Sequence, residues 1–363
     1  MKILFYIHGL TGGGAERVLV TLADAITNNG DTVVIATNTN IPSAYPLNAN
    51  ISLRNIREGC KETGDLFHRL NNAIIMRMNI RRIAKSEKPD IIVALMSSIG
   101  CTVILFTLGL KIPIVVSEHT NVTRSFGLFF NVKRKILYPL ASCITVLTKH
   151  DYKLWRNQFK NVVRMPNPID LHPISIRGGR EKVVLAAGRV NQWWIKGFDN
   201  LIQSWSLLCN DFPEWKLQIA GEADKTSKAD IENFVKRFNC VNVEFLGFRR
   251  DLKSIMEKSE VFCLSSRIEG LPMVLIEAMN SGCCCVSFDV MTGPNEIITN
   301  GKSGLLAKNQ DVMDLAHQLR RVMTNAVLRK TMQAKAPYDV QKYDTKKILL
   351  RWYILFDKII KKK

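Results

Sequence analysis

The sequence predicts an α/β protein built from two doubly wound, Rossmann-like domains facing across a cleft. Three observations predict it. Apolar runs of strand length alternate with helical periodicity along the whole chain. The runs are continuous rather than alternating, the pattern of parallel strands covered by helices on both faces. The alternation breaks once, at Met165-Pro166-Asn167-Pro168-Ile169-Asp170, where two prolines in three residues make a poor element and a good linker, and then it restarts.

In the first half, strands are predicted at residues 3–7, 32–37, 91–95, 112–117 and 144–147. Val18, Leu19, Leu22 and Ile26 mark a helix between the first two. In the second half, strands are predicted at 182–187, 216–220, 242–246, 261–265 and 283–288, with Phe198, Leu201, Ile202, Trp205 and Leu208 on a helix after the first. The domains are placed at 1–167 and 168–342. Residues 343–363 form a long basic amphipathic helix expected to pack back toward the first domain. Residues 91–110 hold 20 positions without a charge, long enough to span a membrane. They divide into a buried strand (91–95), a turn (96–100) and a short buried helix (101–110), which favours a soluble core.

At 363 residues the chain exceeds one ordinary core. Its formal net charge is +19, with 21 Lys/Arg against 11 Asp/Glu in residues 1–170 and 30 against 21 in the rest. This balance favours an anionic partner such as phosphate groups, nucleic acid or an acidic membrane. The nine cysteines form no Cys-x-x-Cys, and Cys283-Cys284-Cys285 sit in a buried strand, so they act as small hydrophobes in a reduced compartment. The N-terminus lacks the apolar core and cleavage site of a signal peptide.

Five stretches carry chemistry. Gly12-Gly13-Gly14 follows the first strand and opens a helix, so backbone can approach an anion at a helix N-terminus. There is no Gly-Lys-Ser/Thr for a P-loop, and the second strand ends in Ala36-Thr37-Asn38 without the acidic residue of a nicotinamide site. His119 follows the strand at 112–117 and can polarise a substrate hydroxyl. Arg189 and Lys196 leave the first strand of the second half, a guanidinium and an ammonium suited to a diphosphate. Glu269 lies in a loop after the strand at 261–265. Gly270, Leu271, Pro272 and Met273 lead into a helix bearing Glu277 on its second turn, so the two carboxylates can face one elongated polar ligand. Gly293 and the helix start after it form another candidate anion site, followed by a turn at 300–304.

Together these stretches resemble the retaining glycosyltransferases of family 4, which have the GT-B architecture. The resemblance spans nearly the whole chain and is strongest from Gly188 to Gly304: EGLPMVLIEAM with Glu269 and Glu277, the GR…KGFDNLI block, the GPNEIITNGKSGLL block, and the looser GGGAE and SEHT. It implies that the second domain binds the nucleotide sugar and the first the acceptor. Glu277 would bind the ribose hydroxyls and Glu269 the donor sugar. Arg189 and Lys196 would hold the diphosphate, with Gly270–Met273 lining the sugar-phosphate site. Gly13 and Gly14 would approach from the first domain, and His119 would lie by the transferred sugar. Two departures stand out. The spacer Asn191-Gln192-Trp193-Trp194-Ile195 is longer than the family's, and the usual Gly-x-Gly reads Gly221-Glu222-Ala223.

No two aspartates stand two apart, so the metal-binding Asp-x-Asp of other nucleotide-sugar transferases is missing and a metal-independent reaction is expected. No cofactor is expected beyond the donor, with uridine diphosphate the preferred carrier of a hexose or N-acetylhexosamine. A nucleotide-sugar epimerase or a sugar phosphorylase is the alternative. Between His119 and Ile169 the only acidic residue is Asp151 among nine cations, and Phe126, Leu128, Phe129 and Phe130 lie near Arg124, Lys133, Arg134 and Lys135. Aromatics with cations suit an anionic membrane interface. The expectation is a cytoplasmic enzyme, peripheral on the inner face of the membrane, using a lipid-linked or oligosaccharide acceptor. Nucleic acid is not expected, because charge alone does not explain the ordered set Arg189, Lys196, Glu269 and Glu277.

Overall fold

The computed structural model describes residues 1–39, 41–61, 65–119, 127–172 and 179–362. They group into two units, one of Met1–Asp170 with Tyr343–Lys363 and one of Leu171–Lys342. Each is an α/β unit around one parallel sheet.

The first unit has seven strands, β1 (Lys2–Ile7), β2 (Thr32–Thr37), β3 (Ser52–Asn55), β4 (Ile91–Leu95), β5 (Ile114–Ser117), β6 (Cys143–Val146) and β7 (Val162–Arg164), in the order β3-β2-β1-β4-β5-β6-β7. Helices α1 (Gly14–Asn28), α2 (Leu66–Glu87), α3 (Ser97–Thr107), α4 (Leu128–Leu137) and α5 (Lys149–Arg156) connect them. The buried residues form a cluster on each side of the sheet, one with α2 to α5 and the other with α1. The strand at 91–95 matches the expectation. The helix after it begins at Ser97 rather than at 101, directly after Met96, whose φ of 74° makes the turn in one residue. Among the described residues no helix is long and apolar enough to cross a membrane.

The second unit has β8 (Glu181–Ala187), β9 (Lys216–Ala220), β10 (Val243–Gly247), β11 (Ser259–Leu264), β12 (Cys284–Phe288) and β13 (Gly304–Ala307), ordered β10-β9-β8-β11-β12-β13. Its helices are α6 (Phe198–Ser206), α7 (Lys225–Arg237), α8 (Leu252–Lys258), α9 (Met273–Asn280), α10 (Pro294–Ile297), α11 (Val312–Thr324) and α12 (Ala326–Val340). Both sheets therefore run outward from a central pair, β1/β4 and β8/β11. At such a pair successive crossovers leave in opposite directions, opening a crevice at the carboxyl ends of the strands. The stretches at 8–14, 117–119, 188–197 and 265–273 all leave carboxyl ends at or beside these pairs.

The proline-rich stretch is not a loose linker. Residues 165–169 are buried, the Ile169 N–H donates to the Tyr343 carbonyl at 3.0 Å, and the Thr345 N–H donates back to the Ile169 carbonyl at 3.1 Å. This two-way pairing starts the last helix, α13 (Thr345–Ile360), which lays Ile348, Trp352, Leu355, Phe356 and Ile359 into the cluster containing α1. The Trp352 and Phe356 rings lie 5.4 Å apart. Trp352→Ala should cost about 3–5 kcal/mol of stability. The expected reading is a clear fall in the urea midpoint, and a loss under about 1 kcal/mol would show that α13 is peripheral.

Candidate functional site

In the second unit three loops meet at the β8/β11 crevice. The first leaves β8 at Gly188-Arg189, makes a 3-10 turn over Val190–Gln192 and reaches Lys196 through a compact turn, with Lys196 N–H donating to the Gln192 carbonyl at 2.9 Å. The longer spacer is thus coiled. It delivers the Lys196 ammonium to Glu269 Oε1 at 2.9 Å, a pair only 23% and 11% exposed.

That contact depends on Gly197. Its φ is +63°, and a Cβ there would lie 1.8 Å from the Ser265 carbonyl oxygen. The bare backbone lets the two loops touch, and they are stitched together. Ser265 Oγ donates to the Lys196 carbonyl at 3.0 Å, and the Arg267 N–H donates to the Ile195 carbonyl at 2.9 Å. Arg267 also grips both carboxylate oxygens of buried Asp199 at 2.6 Å. Bidentate pairing of this kind fixes geometry as well as charge. Gly221 tightens the same loop, since a Cβ there would lie 1.7 Å from the Gly188 carbonyl oxygen. That accounts for the first glycine of the departed motif, while Glu222 uses its carbonyl to accept the Val190 N–H at 3.0 Å.

The third loop follows β12. Helix α10 after Gly293 is four residues long. Gly293 also allows packing: with φ +98°, a Cβ would meet Pro272 Cδ at 2.4 Å and the Gly270 carbonyl oxygen at 2.6 Å. Thr292 Oγ1 donates to the Glu269 carbonyl. The turn expected at 300–304 ends in β13, which begins at Gly304.

Pro272 is the N-cap of α9, and Met273 is the first helical residue. Leu271 and Pro272 are buried, whereas Met273 and Glu277 are partly accessible. The first-turn N–H groups of a helix lack internal acceptors, so those of Met273 and Val274 are available to an anion. Glu277 sits on the second turn of α9. Sequence reasoning missed the Asp199–Arg267 clamp and Ser266, a buried residue whose Oγ has no hydrogen-bond partner among the described residues. Arg267 stood in the motif's own loop, but its partner lies 68 positions away in the chain.

In the first unit the glycine loop is already capped. Glu16 Oε2 accepts the N–H of Gly12 at 2.7 Å and of Gly13 at 3.1 Å. Gly12 alone needs glycine for its backbone, at φ +123°. Gly13 is extended, and a Cβ on Gly14 would meet nothing within 4 Å, so that bareness serves no packing contact. His119 follows β5. Thr145 Oγ1 donates to Ser117 Oγ at 2.9 Å, and Ser117 Oγ stands 3.1 Å from His119 Nε2. His119 Nδ1 is buried and has no hydrogen-bond partner among the described residues, and the Nε2–Ser117 bond is open to either tautomer of the ring. His119 lines a small pocket with Leu95, Asn167 and Trp352. Next to it, the Glu118 carboxyl is buried and receives Ser97 Oγ and Tyr138 Oη, and burial pushes its pKa up.

Two family models match the chain: Glycosyltransferase Family 4 over residues 12–172, and Glycosyl transferases group 1 over residues 170–338. The chain belongs to the family 4, group 1 glycosyltransferases. It is 28% identical, over 99% of both chains, to a Campylobacter jejuni alpha-1,4-N-acetyl-D-galactosaminyltransferase named for GalNAc-alpha-(1->4)-GalNAc-alpha-(1->3)-diNAcBac-PP-undecaprenol. Its fold is that of sucrose-phosphate synthase from Thermosynechococcus elongatus (TM-score 0.84, 17% identity, all of both chains). It is also that of Anabaena HepE solved with UDP-glucose (TM-score 0.80, 16% identity, 99% of this chain and 100% of the other). The glycosyltransferase fold is therefore GT-B, and its two Rossmann-like halves are the units described above.

Burial lowers the His119 pKa from 6.5 to about 4, so the imidazole of this glycosyltransferase is neutral near pH 7. Between about pH 6.5 and 4 the unfolded chain binds the proton more readily, so stability attributable to His119 is lost as pH falls through that window. His119→Gln should flatten the dependence of melting temperature on pH there. An unchanged slope would place the acid lability at another group, such as His8, which burial also lowers.

Proposed function

We propose that the protein is a metal-independent, retaining glycosyltransferase that moves a hexose or N-acetylhexosamine from a UDP-sugar to a lipid-linked or oligosaccharide acceptor in cell-surface glycan synthesis. The observation that carries the reading is the meeting of Lys196 and Glu269 at the crevice where α9 brings in Glu277. Arg189 and Lys196 bind the diphosphate, whose negative charge grows as it leaves. Fixed cations and first-turn N–H groups stabilise that charge more in the transition state than in the ground state. Glu269 orients the sugar while its ion pair keeps Lys196 extended toward the phosphates. Glu277 accepts hydrogen bonds from the ribose. The acceptor hydroxyl attacks the anomeric carbon on the face from which the diphosphate departs. The carbon–oxygen bond to phosphate breaks, the new glycosidic bond forms, and the leaving phosphate oxygen takes the hydroxyl proton. Neutral His119 offers an imidazole nitrogen to a sugar hydroxyl, and the Gly12 and Gly13 N–H groups, which Glu16 holds, are of the kind that suits an anion. The Campylobacter relative's polyprenyl-diphosphate acceptor and the UDP-glucose in the Anabaena fold support the choice of substrates.

The membrane reading rests on α4. Leu128 and Phe129 are 82% and 85% exposed, and Val132 and Ile136 continue the apolar stripe beside Lys133 and Lys135. Arg124 and Phe126, also part of that expectation, lie outside the described residues. Peripheral attachment at the cytoplasmic face places the enzyme where a lipid-linked acceptor is found.

Nucleotide release from a panel of sugar nucleotides in EDTA tests the reaction. One donor should be turned over at an unchanged rate in EDTA, and Glu277→Ala should lower it by about 10- to 100-fold, the worth of a charged hydrogen bond. A strict manganese requirement would refute metal independence, and no release from any donor would refute the transferase reading. In flotation, the protein should rise with anionic but not neutral vesicles, and Phe129→Glu should abolish the difference. Equal flotation with both vesicle types would remove the membrane claim.

A further inference from the structure

We propose that Trp194 is a stacking platform for a pyranose ring bound beside the Lys196–Glu269 pair. The proposal rests on the transferase reading and adds to it a residue that selects the sugar.

Trp194 is 58% exposed yet held in place. Its carbonyl accepts the Gly197 N–H at 3.1 Å and Arg267 Nη1. The Arg267 guanidinium covers one face of the indole, 3.7 Å from the ring centroid. That guanidinium is locked by the buried Asp199 carboxylate, so it forms a rigid backing. Trp193 meets Trp194 edge-on at 6.4 Å and is itself anchored against Phe234 at 5.7 Å. Among the described residues, Trp194 has no ring or cation partner beyond these two. A large apolar ring has been fixed with an accessible surface, which costs hydration unless a ligand covers it.

The chemistry of the patch selects the ligand. Ile195 and Ile268, next in sequence to Trp194 and to Arg267, are exposed. The charge of Arg267 is spent on Asp199, so the patch does not call for an anion. A pyranose presents an apolar C–H face with hydroxyls at its rim, and an electron-rich indole face attracts such polarised C–H groups. The location fits as well. Trp194 is two residues before Lys196, and Ile268 directly precedes Glu269. The long spacer between Arg189 and Lys196 then has a purpose, because it is the segment that supplies the tryptophan.

The ring belongs to the donor or to the acceptor, and binding separates the two. Affinity for UDP, UDP-N-acetylgalactosamine and UDP-glucose is measured by calorimetry. Contact with methyl α-N-acetylgalactosaminide is measured by saturation-transfer NMR. Both use the whole protein, as wild type, Trp194→Phe, Trp194→Leu and Trp194→Ala. Trp194→Leu and Trp194→Ala should lose about tenfold in affinity for a sugar ligand, Trp194→Phe should keep most of it, and UDP alone should bind unchanged. Loss confined to UDP-sugars assigns the donor ring, and loss of the free glycoside signal assigns the acceptor ring. Sugar binding in Trp194→Leu equal to wild type overturns the platform, as does equal weakening of UDP and UDP-sugars, which would mean that the loop had merely collapsed. A wild type that binds neither UDP nor any UDP-sugar sinks the transferase reading and the platform with it. Normal wild-type binding with unaffected variants sinks the platform alone.

Discussion

Every feature of the second unit's site depends on the divergence of the chain at the β8/β11 pair. Neighbouring parallel strands whose crossovers run in opposite directions leave their carboxyl ends uncovered. The backbone there must be satisfied by loops rather than by a helix laid across it. Three loops meet at the opening, and two of them approach so closely that Gly197 sits where a side chain would overlap the Ser265 carbonyl. That contact sets the position of Lys196 and, through it, of Glu269.

Charge in the site is organised at two levels. The Asp199–Arg267 pair is structural: the aspartate is 2% exposed, and its bidentate partner joins the start of α6 to the loop after β11. The Lys196–Glu269 pair is more accessible, and its ammonium keeps two hydrogen-bonding positions beyond the one given to Glu269. A partly buried pair of this kind contributes little to stability, because desolvation offsets its attraction. It does keep a cation pointed at the crevice before any ligand arrives. The first unit holds Glu16 over the glycine loop in an analogous way, with the protein's own carboxylate on N–H groups that suit an anion.

His119 differs from both. It carries no charge near neutral pH, and its Nε2 shares a hydrogen bond with Ser117, which is in turn fixed by Thr145. A neutral imidazole donates at one nitrogen and accepts at the other, which suits hydroxyl recognition better than phosphate binding.

Much of the fold was legible in the sequence, because continuous apolar runs and helical spacing are properties of neighbouring residues. The strands at Thr32–Thr37, Ile91–Leu95 and Lys216–Ala220 match their predicted bounds. The strands that were missed are short. β3 is polar and at the sheet edge, β7 has three residues, and β13 has four with two of them leucine. The sequence by itself determined the two parallel-sheet halves, the order of the chemistry-bearing loops and the family, since each of these is written in local pattern and spacing. Only the tertiary structure decided that Lys196 meets Glu269, that Arg267 is spent on Asp199 beneath Trp194, that Gly293 serves packing, and that the proline stretch is pinned to the start of α13. These are contacts between segments 21 to 175 residues apart. They are settled by which strand ends the topology makes adjacent and by how closely bare backbone lets them approach, and no local pattern encodes either.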